Sequence, residues 1–207
     1  MKKALLTTAC SLVIILALSL PGSSLAATTA YTVQSGDSMW KIAVKYQVGV
    51  SEIISANPQI SNPNLIYPGQ KLNIPTTPEV TAYEKEVARL VNVERAKTGL
   101  PALTYNWELA RVARYKSEDM RNKGYFSHTS PTYGSPFDMM RAFGIRYTAA
   151  GENIAKGQMT PQQVMNGWMN SSGHKANILS RNYTQIGVGY AKDSAGRGYW
   201  TQMFIRP

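Results

Sequence analysis

The chain has 207 residues, with 22 basic residues against 12 acidic ones and a net charge of +10. Such a balance draws a protein to anionic polymers, but the basic residues are spread out, with no Lys/Arg run and no nucleic-acid motif, which excludes nucleic acid as the partner. The single cysteine, Cys10, lies in an apolar leader, so the chain without that leader forms no disulfides and relies on its core.

The leader comes first. Lys2 and Lys3 form a short basic segment and Ala4 to Leu20 an apolar run. Pro21-Gly22 breaks it, and Ser24-Leu25-Ala26 supplies small residues where a signal peptidase reads. Residues 1–26 therefore read as a signal peptide cleaved after Ala26. The apolar run is just long enough to span a bilayer, so an uncleaved anchor is the alternative. Cys10 stands near the start of the run, the wrong place for a lipoprotein cysteine. A cysteine-free exported chain with a two-lysine signal points to a bacterium with one membrane and a thick wall. Without Lys2 and Lys3 the balance is 20 basic residues against 12 acidic, or +8. Outside a cell, phosphate-rich wall polymers and anionic lipid suit that charge.

The rest divides at residues 76–81, Thr76-Thr77-Pro78-Glu79-Val80-Thr81, which reads as a polar, proline-bearing linker. The smaller piece before it is at the margin for independent folding; the larger one after it is long enough for a proper core. The smaller piece reads strand–helix–helix–strand. Tyr31-Thr32-Val33-Gln34 alternates, Ser35-Gly36-Asp37-Ser38 turns with Asp37 as the expected helix cap, and Met39, Trp40, Ile42, Ala43 and Tyr46 fall at helical spacing. A second short helix starts at Ser51 and ends at Asn57-Pro58. Leu72 and Ile74 mark a closing strand.

Those residues carry a resemblance. The run Tyr31 to Ala43, then Asn57-Pro58, then Leu65-Ile66-Tyr67-Pro68-Gly69-Gln70-Lys71-Leu72-Asn73-Ile74-Pro75, looks like a LysM domain over residues 31–75. The resemblance implies binding of N-acetylglucosamine glycans such as peptidoglycan. It places the sugar groove between Gly36, Asp37, Ser38 and Met39 on one side and Asn64, Leu65, Ile66 and Tyr67 on the other. A shallow groove of backbone amides with an aliphatic wall suits hydroxyls, acetamides and ring faces. The stretch Asn57 to Leu65 also resembles the LysM subtype of spore coat-assembly proteins, which suggests an endospore-former.

In the larger piece, 82–207, Thr81-Ala82-Tyr83-Glu84 has the pattern of a capping box opening a helix that stops at Gly99. Asn106 is the expected cap of a helix ending near Gly124, and Thr160-Pro161-Gln162-Gln163 starts another. Ile186 to Tyr190 and Tyr199 to Ile205 read as strands about a turn at Asp193 to Gly196. Helices first and an antiparallel sheet later, with no βαβ rhythm, mean α+β. The two histidines of the chain, His128 and His174, sit in polar motifs, as does Glu152: His128-Thr129-Ser130-Pro131, Gly151-Glu152-Asn153 and Gly173-His174-Lys175-Ala176-Asn177. Brought together, they would form a divalent-metal or acid/base site.

This half resembles the CAP superfamily, also called SCP-like. The resemblance is carried by Asn92-Val93-Glu94-Arg95, the three motifs just named, Trp168, Ile178-Leu179 and Ile186-Gly187-Val188-Gly189. The spelling around Ser135 to Met140 and Trp168 to Ser171 is similar to the bacterial exported branch. It implies an α–β–α sandwich and a cleft whose two histidines and two carboxylates bind zinc or another divalent ion in some members. One carboxylate is missing: animal and plant members carry a glutamate three residues after the tryptophan, where this chain has Ser171. The expected metal set is thus His128, His174 and Glu152, and the same three are the catalytic candidates. Glu152 suits three roles, as a ligand, as a group orienting an imidazole from behind, or as a general base. Asp138 reads as the third residue of a helix rather than a replacement ligand. Nothing resembles a nucleophile elbow.

The expectation is an exported wall- or spore-envelope-associated protein. Its LysM module binds peptidoglycan, its basic surface adds retention on anionic wall polymers, and its CAP domain presents the His/Glu/His site to a ligand or metal. A zinc-assisted hydrolase of wall peptide, glycan or wall-bound protein is the alternative.

Overall fold

A computed structural model describes residues 27–207; the expected leader and its cleavage site lie outside them. The first module pairs β1 (Ala27–Thr32) with β2 (Lys71–Thr76) as an antiparallel ribbon, with α1 (Met39–Tyr46) and α2 (Val50–Ser55) between them in sequence. Its core is Val33, Ile42, Ala43, Ile53, Leu72 and Ile74. Asn57 is fully buried and joins the end of α2 to β2: its amide donates to the Ile53 and Asn73 carbonyls and its oxygen accepts from the Asn73 amide, all at 2.7 Å. Such fully satisfied buried polar groups fix register. The cap of α1 is Ser38, whose hydroxyl accepts from Lys41 N, rather than Asp37. Asp37 instead accepts from the Tyr31 hydroxyl at 2.6 Å and the Gln34 amide at 2.8 Å, which closes the turn.

No flexible connector follows. β2 runs to Thr76 and α3 (Pro78–Lys97) begins at Pro78, so the modules join through Thr77 alone and the expected linker 76–81 is already secondary structure. Proline at the first helical position explains the earlier start. The Thr81–Glu84 pattern then falls inside α3, and Glu84 is buried rather than capping: its oxygens accept from Arg114 Nε at 2.8 Å and Nη2 at 2.5 Å, and from the Tyr190 amide at 3.1 Å. The remaining elements are β3 (Thr104–Tyr105), α4 (Trp107–Lys123), α5 (Pro136–Ala142), β4 (Ala149–Lys156), α6 (Pro161–Met169), α7 (Ser172–Ile178), β5 (Gln185–Lys192) and β6 (Gly198–Arg206). Asn106 and Thr160 cap α4 and α6 as expected, and Gly124 ends α4 in a left-handed conformation.

The sheet order is β3-β5-β6-β4, with β3 parallel to β5 and the other pairs antiparallel. Alternation along β5 decides what covers each face. Ile186, Val188 and Tyr190 pack with Val87 and Val91 of α3 and Val164 and Trp168 of α6. Gly187 and Gly189 point the other way, where α4 lies so close that a Cβ on Gly189 would stand 2.1 Å from the Ala113 carbonyl carbon. On that side Leu109, Val112 and Ala113 pack with Met139, Met140, Met203 and Ile205. This is the α–β–α sandwich. Among the described residues no helix is long and apolar enough to cross a membrane.

Candidate functional site at the edge strand

β4 is an edge strand, and its alternation places the site. Glu152 is paired with Met203 and so faces α4; Asn153 is paired with Gln202 and faces α6 and α7. His128 lies on the segment after α4, and its Nδ1 meets Glu152 Oε1 at 2.7 Å. The histidine side chain is 55% exposed and the carboxylate 2%. An acid buried behind an exposed imidazole fixes the ring and leaves Nε2 facing outward. The second carboxylate oxygen, Oε2, is buried with no protein partner.

Two groups of α4 brace this segment, and the sequence reading singled out neither. Asp119 accepts from the hydroxyls of Tyr125 (2.7 Å), Ser130 (2.7 Å) and Thr132. Burial works against its charge, but these hydroxyls outweigh it and hold the carboxyl below the usual range. Ser130 Oγ in turn accepts from the amides of Thr132 and Tyr133. Lys116, fully buried, donates to the His128 carbonyl at 2.5 Å. Burial pushes its pKa down, opposed by the charges of Glu152 and Asp119. Both side chains were hidden in sequence by the amphipathic spacing of α4, where a polar residue on the buried face looks like a solvated one. A lysine and an acid three residues apart among apolar neighbours were the available signal.

His174 comes from the other face. It sits on α7, whose end is tied down by Arg95: that guanidinium, nearly sealed from solvent, donates to the carbonyls of Pro101 (2.9 Å), Ile178 (2.8 Å) and Ser180 (2.7 Å). Asn153 donates to the His174 carbonyl and to Gln202 Oε1, each at 3.0 Å, and Asn177 donates to Asn153 Oδ1 at 2.9 Å. Burial, and then the charge of His128, pushes the His174 pKa down, which favours its neutral ring. His174 lines a hollow of about 280 Å³ with Phe126, Trp168 and Ser171; His128 and Glu152 are not in its wall.

The expected three-ligand shell does not form. Among the described residues no three His, Cys, Asp or Glu side chains are placed to hold a metal ion. The physical reason is the Glu152 carboxylate, which bonds His128 Nδ1 from behind the ring instead of converging with the two imidazoles. Asp138 supplies no substitute, since it caps α5 through Ser135 and pairs with Arg141 on the surface. Ser171 is the N-cap residue of α7. Gln202, fully buried against Asn153, does not open onto a cleft.

In the first module, Gly36 takes φ +81° in the turn before α1. Asn64, Leu65 and Tyr67 are exposed and Ile66 is half-buried on the core. Hydrogen bonds Gly69 N to Val33 O and Val33 N to Gln70 O, both 2.9 Å, hold that second loop beside the start of the first. Met39, expected in the groove, is core instead; its neighbour Trp40, not singled out as a groove residue, is exposed.

Comparison with known proteins agrees with both halves. The LysM domain model matches residues 31–75 and the cysteine-rich secretory protein family (CAP) model matches 88–204. The chain is 58% identical over 126 residues to the uncharacterized protein YkwD of Bacillus subtilis, covering 61% of this chain and 48% of that one. It is 54% identical over 46 residues to SpoIVD-associated factor A of the same organism, covering 22% of this chain and 12% of that one. An extracellular SCP-domain protein from Bacillus anthracis superposes with a TM-score of 0.59 at 33% identity, covering 67% of this chain and 47% of that one. The chain thus spans less than half the length of these relatives. With more than half of its residues inside the family match and the sandwich in place, the chain belongs to the cysteine-rich secretory protein (CAP) family and carries a LysM domain ahead of the CAP domain.

Proposed function

We propose that this is a protein of the bacterial cell wall or spore envelope whose LysM domain grips peptidoglycan and whose CAP domain offers the His128–Glu152–His174 region to a ligand. The observation that carries the reading is the LysM match over residues 31–75 together with the exposed Leu65 and Tyr67 on the loop expected to wall the sugar groove. Apolar surface of that kind suits sugar ring faces. The relatives point the same way: their names and descriptions include a SpoIVD-associated factor and an extracellular protein. The test is co-sedimentation of the protein from Ala27 onward with purified sacculi at moderate salt. Leu65→Asp with Tyr67→Asp should abolish it; undiminished pelleting of that variant refutes the glycan grip.

A second reading, hydrolysis of wall material, is favoured by one feature, the carboxylate-backed imidazole. Glu152 holds His128 in the tautomer with Nδ1 protonated, and Nε2 is then free to take a proton from water. A neutral His174 nearby adds a second proton acceptor or donor. Release of soluble muropeptides by the wild type, lost in His128→Ala and Glu152→Ala, establishes this reading; no release across pH 5 to 9, about the range in which imidazoles titrate, leaves the CAP domain a binding module.

A further inference from the structure

The two modules are locked together, and the lock builds a groove that neither module has alone. Glu52 of α2 accepts from Arg111 Nε at 2.8 Å and from the Tyr115 hydroxyl, both on the outward face of α4. Gly49 leaves room for this guanidinium: a Cβ there would stand 2.7 Å from Arg111 Nε, and the arginine would have to shift. Beside the lock is a hollow of about 550 Å³ walled by both modules. Lys45 and Tyr46 of α1 lie on one wall; Lys85 of α3, Tyr105 of β3, and Trp107 and Arg114 of α4 lie on the other. No Asp or Glu is among the lining residues. Glu84 neutralises Arg114 from behind the wall, so the two ammonium groups of Lys45 and Lys85 are the cations that leave the hollow with a net positive field, and concave low-dielectric walls focus it.

We propose that this inter-module groove binds an anionic, phosphodiester-linked carbohydrate or polyol chain. The donor chemistry selects phosphate over carboxylate. Planar carboxylate recognition relies on a bidentate guanidinium, and the guanidinium in this wall, Arg114, already spends both prongs on Glu84. What remains is single-point donors, two ammonium groups with hydroxyl and indole N–H groups around them, which suit tetrahedral oxygens approached from several sides. The rings of Tyr46, Tyr105 and Trp107 give flat apolar surface to the carbon skeleton between phosphates. Because the walls come from different modules, occupancy and docking support one another. The proposal rests on the wall-associated reading above but concerns a surface distinct from the LysM glycan loop.

Calorimetric titration of the protein from Ala27 onward with a short synthetic poly(glycerol phosphate) tests it, with chitin oligosaccharide titrated separately. Saturable binding that weakens with salt is expected. Lys45→Glu with Lys85→Glu should weaken it about tenfold or more and leave chitin-oligosaccharide affinity unchanged. Lys97→Glu with Arg181→Glu carries the same charge change away from the groove, with Lys97 about 18 Å along α3 from Lys85, and should lower affinity by no more than about twofold. Glu52→Lys should also weaken binding, with both lysines intact, by undocking the modules. An equal loss in the two charge-reversal pairs reduces the effect to net charge and overturns the proposal. So does full affinity in Glu52→Lys, or equally tight binding of a polyuronate, or no binding at all. Loss of chitin-oligosaccharide binding alone would count against the LysM reading and leave this one standing.

Discussion

Asp119→Asn is the sharpest test of how the site is held. The side chain is nearly sealed and gathers three hydroxyl donors, Tyr125, Ser130 and Thr132. Hydrogen bonds to a charged acceptor contribute about 1.5–3 kcal/mol each, and a donor left without a partner costs about 1–3. Asparagine keeps the volume and one acceptor oxygen but turns an amide against at least one hydroxyl, so the net loss is about 3 kcal/mol. If the segment opens locally, that figure is about two decades in amide exchange. The amides of Ser130, Thr132 and Tyr133 should then exchange about 100-fold faster by mass spectrometry or NMR, since each is bonded to Gly134 or to Ser130 Oγ within the braced turn. If instead the whole domain shares the loss, Tm should drop by about 6–12 °C. Lys123→Ala, which removes an exposed ion-pair partner 3.8 Å from Asp119, should change stability by less than about 0.5 kcal/mol. Unchanged exchange and unchanged Tm in Asp119→Asn would mean that the His128 segment is held by something else.

Docking of the modules should depend on acid. Burial opposes the Glu52 charge, but the Tyr115 hydroxyl, the Gly49 amide and Arg111 outweigh it and pull the pKa below its ordinary 4.5. A depressed carboxylate contributes stability that is complete above 4.5 and lost as pH falls through the lowered value. NMR relaxation should therefore report one rotational correlation time at pH 7 and two after acidification below that range; two at pH 7 would contradict the lock. Gly189→Ala should push α4 off the sheet, since the new Cβ would stand 2.1 Å from a backbone carbon. Overpacking of this kind costs about 1–3 kcal/mol or more, read by thermal unfolding. Glu84→Gln strands a partly buried guanidinium and should cost about 3 kcal/mol or more, whereas Glu84→Leu with Arg114→Leu recovers most of it. Equal losses in the single and double variants would show that the pair acts only through packing.

The sequence announced its elements wherever a local signal matched the final structure. The caps Asn106 and Thr160, the αL glycine at 124 and the alternating strands about Asp193 to Gly196 were readable because each is decided within a few residues. The join between modules was not. Thr76 to Thr81 looks like a linker because polar residues and proline are as much at home there as at a helix start, and only the packing of α3 on β5 chooses. Glu84 misled for the same reason. Its position three after a threonine is the capping-box spacing, but the partner that claims it, Arg114, is 30 residues away.

The site shows the same divide more sharply. Motif matching marked His128, Glu152 and His174; the structure bonds His128 to Glu152, and among the described residues it gathers no three such side chains around one point. The 151–153 motif was not assigned to a strand. Once it is one, period-two alternation forces Glu152 and Asn153 to opposite faces, so the carboxylate belongs to the α4 side with His128 while Asn153, not Glu152, reaches α7 and the His174 carbonyl. The two histidines thus belong to different sides of an edge strand, His128 bonded through its ring to Glu152 and His174 held through its carbonyl by Asn153. A strand assignment made first would have predicted a carboxylate–imidazole pair with the second histidine held separately. It would also have sent the search for supporting charges to α4, where Lys116 and Asp119 lie.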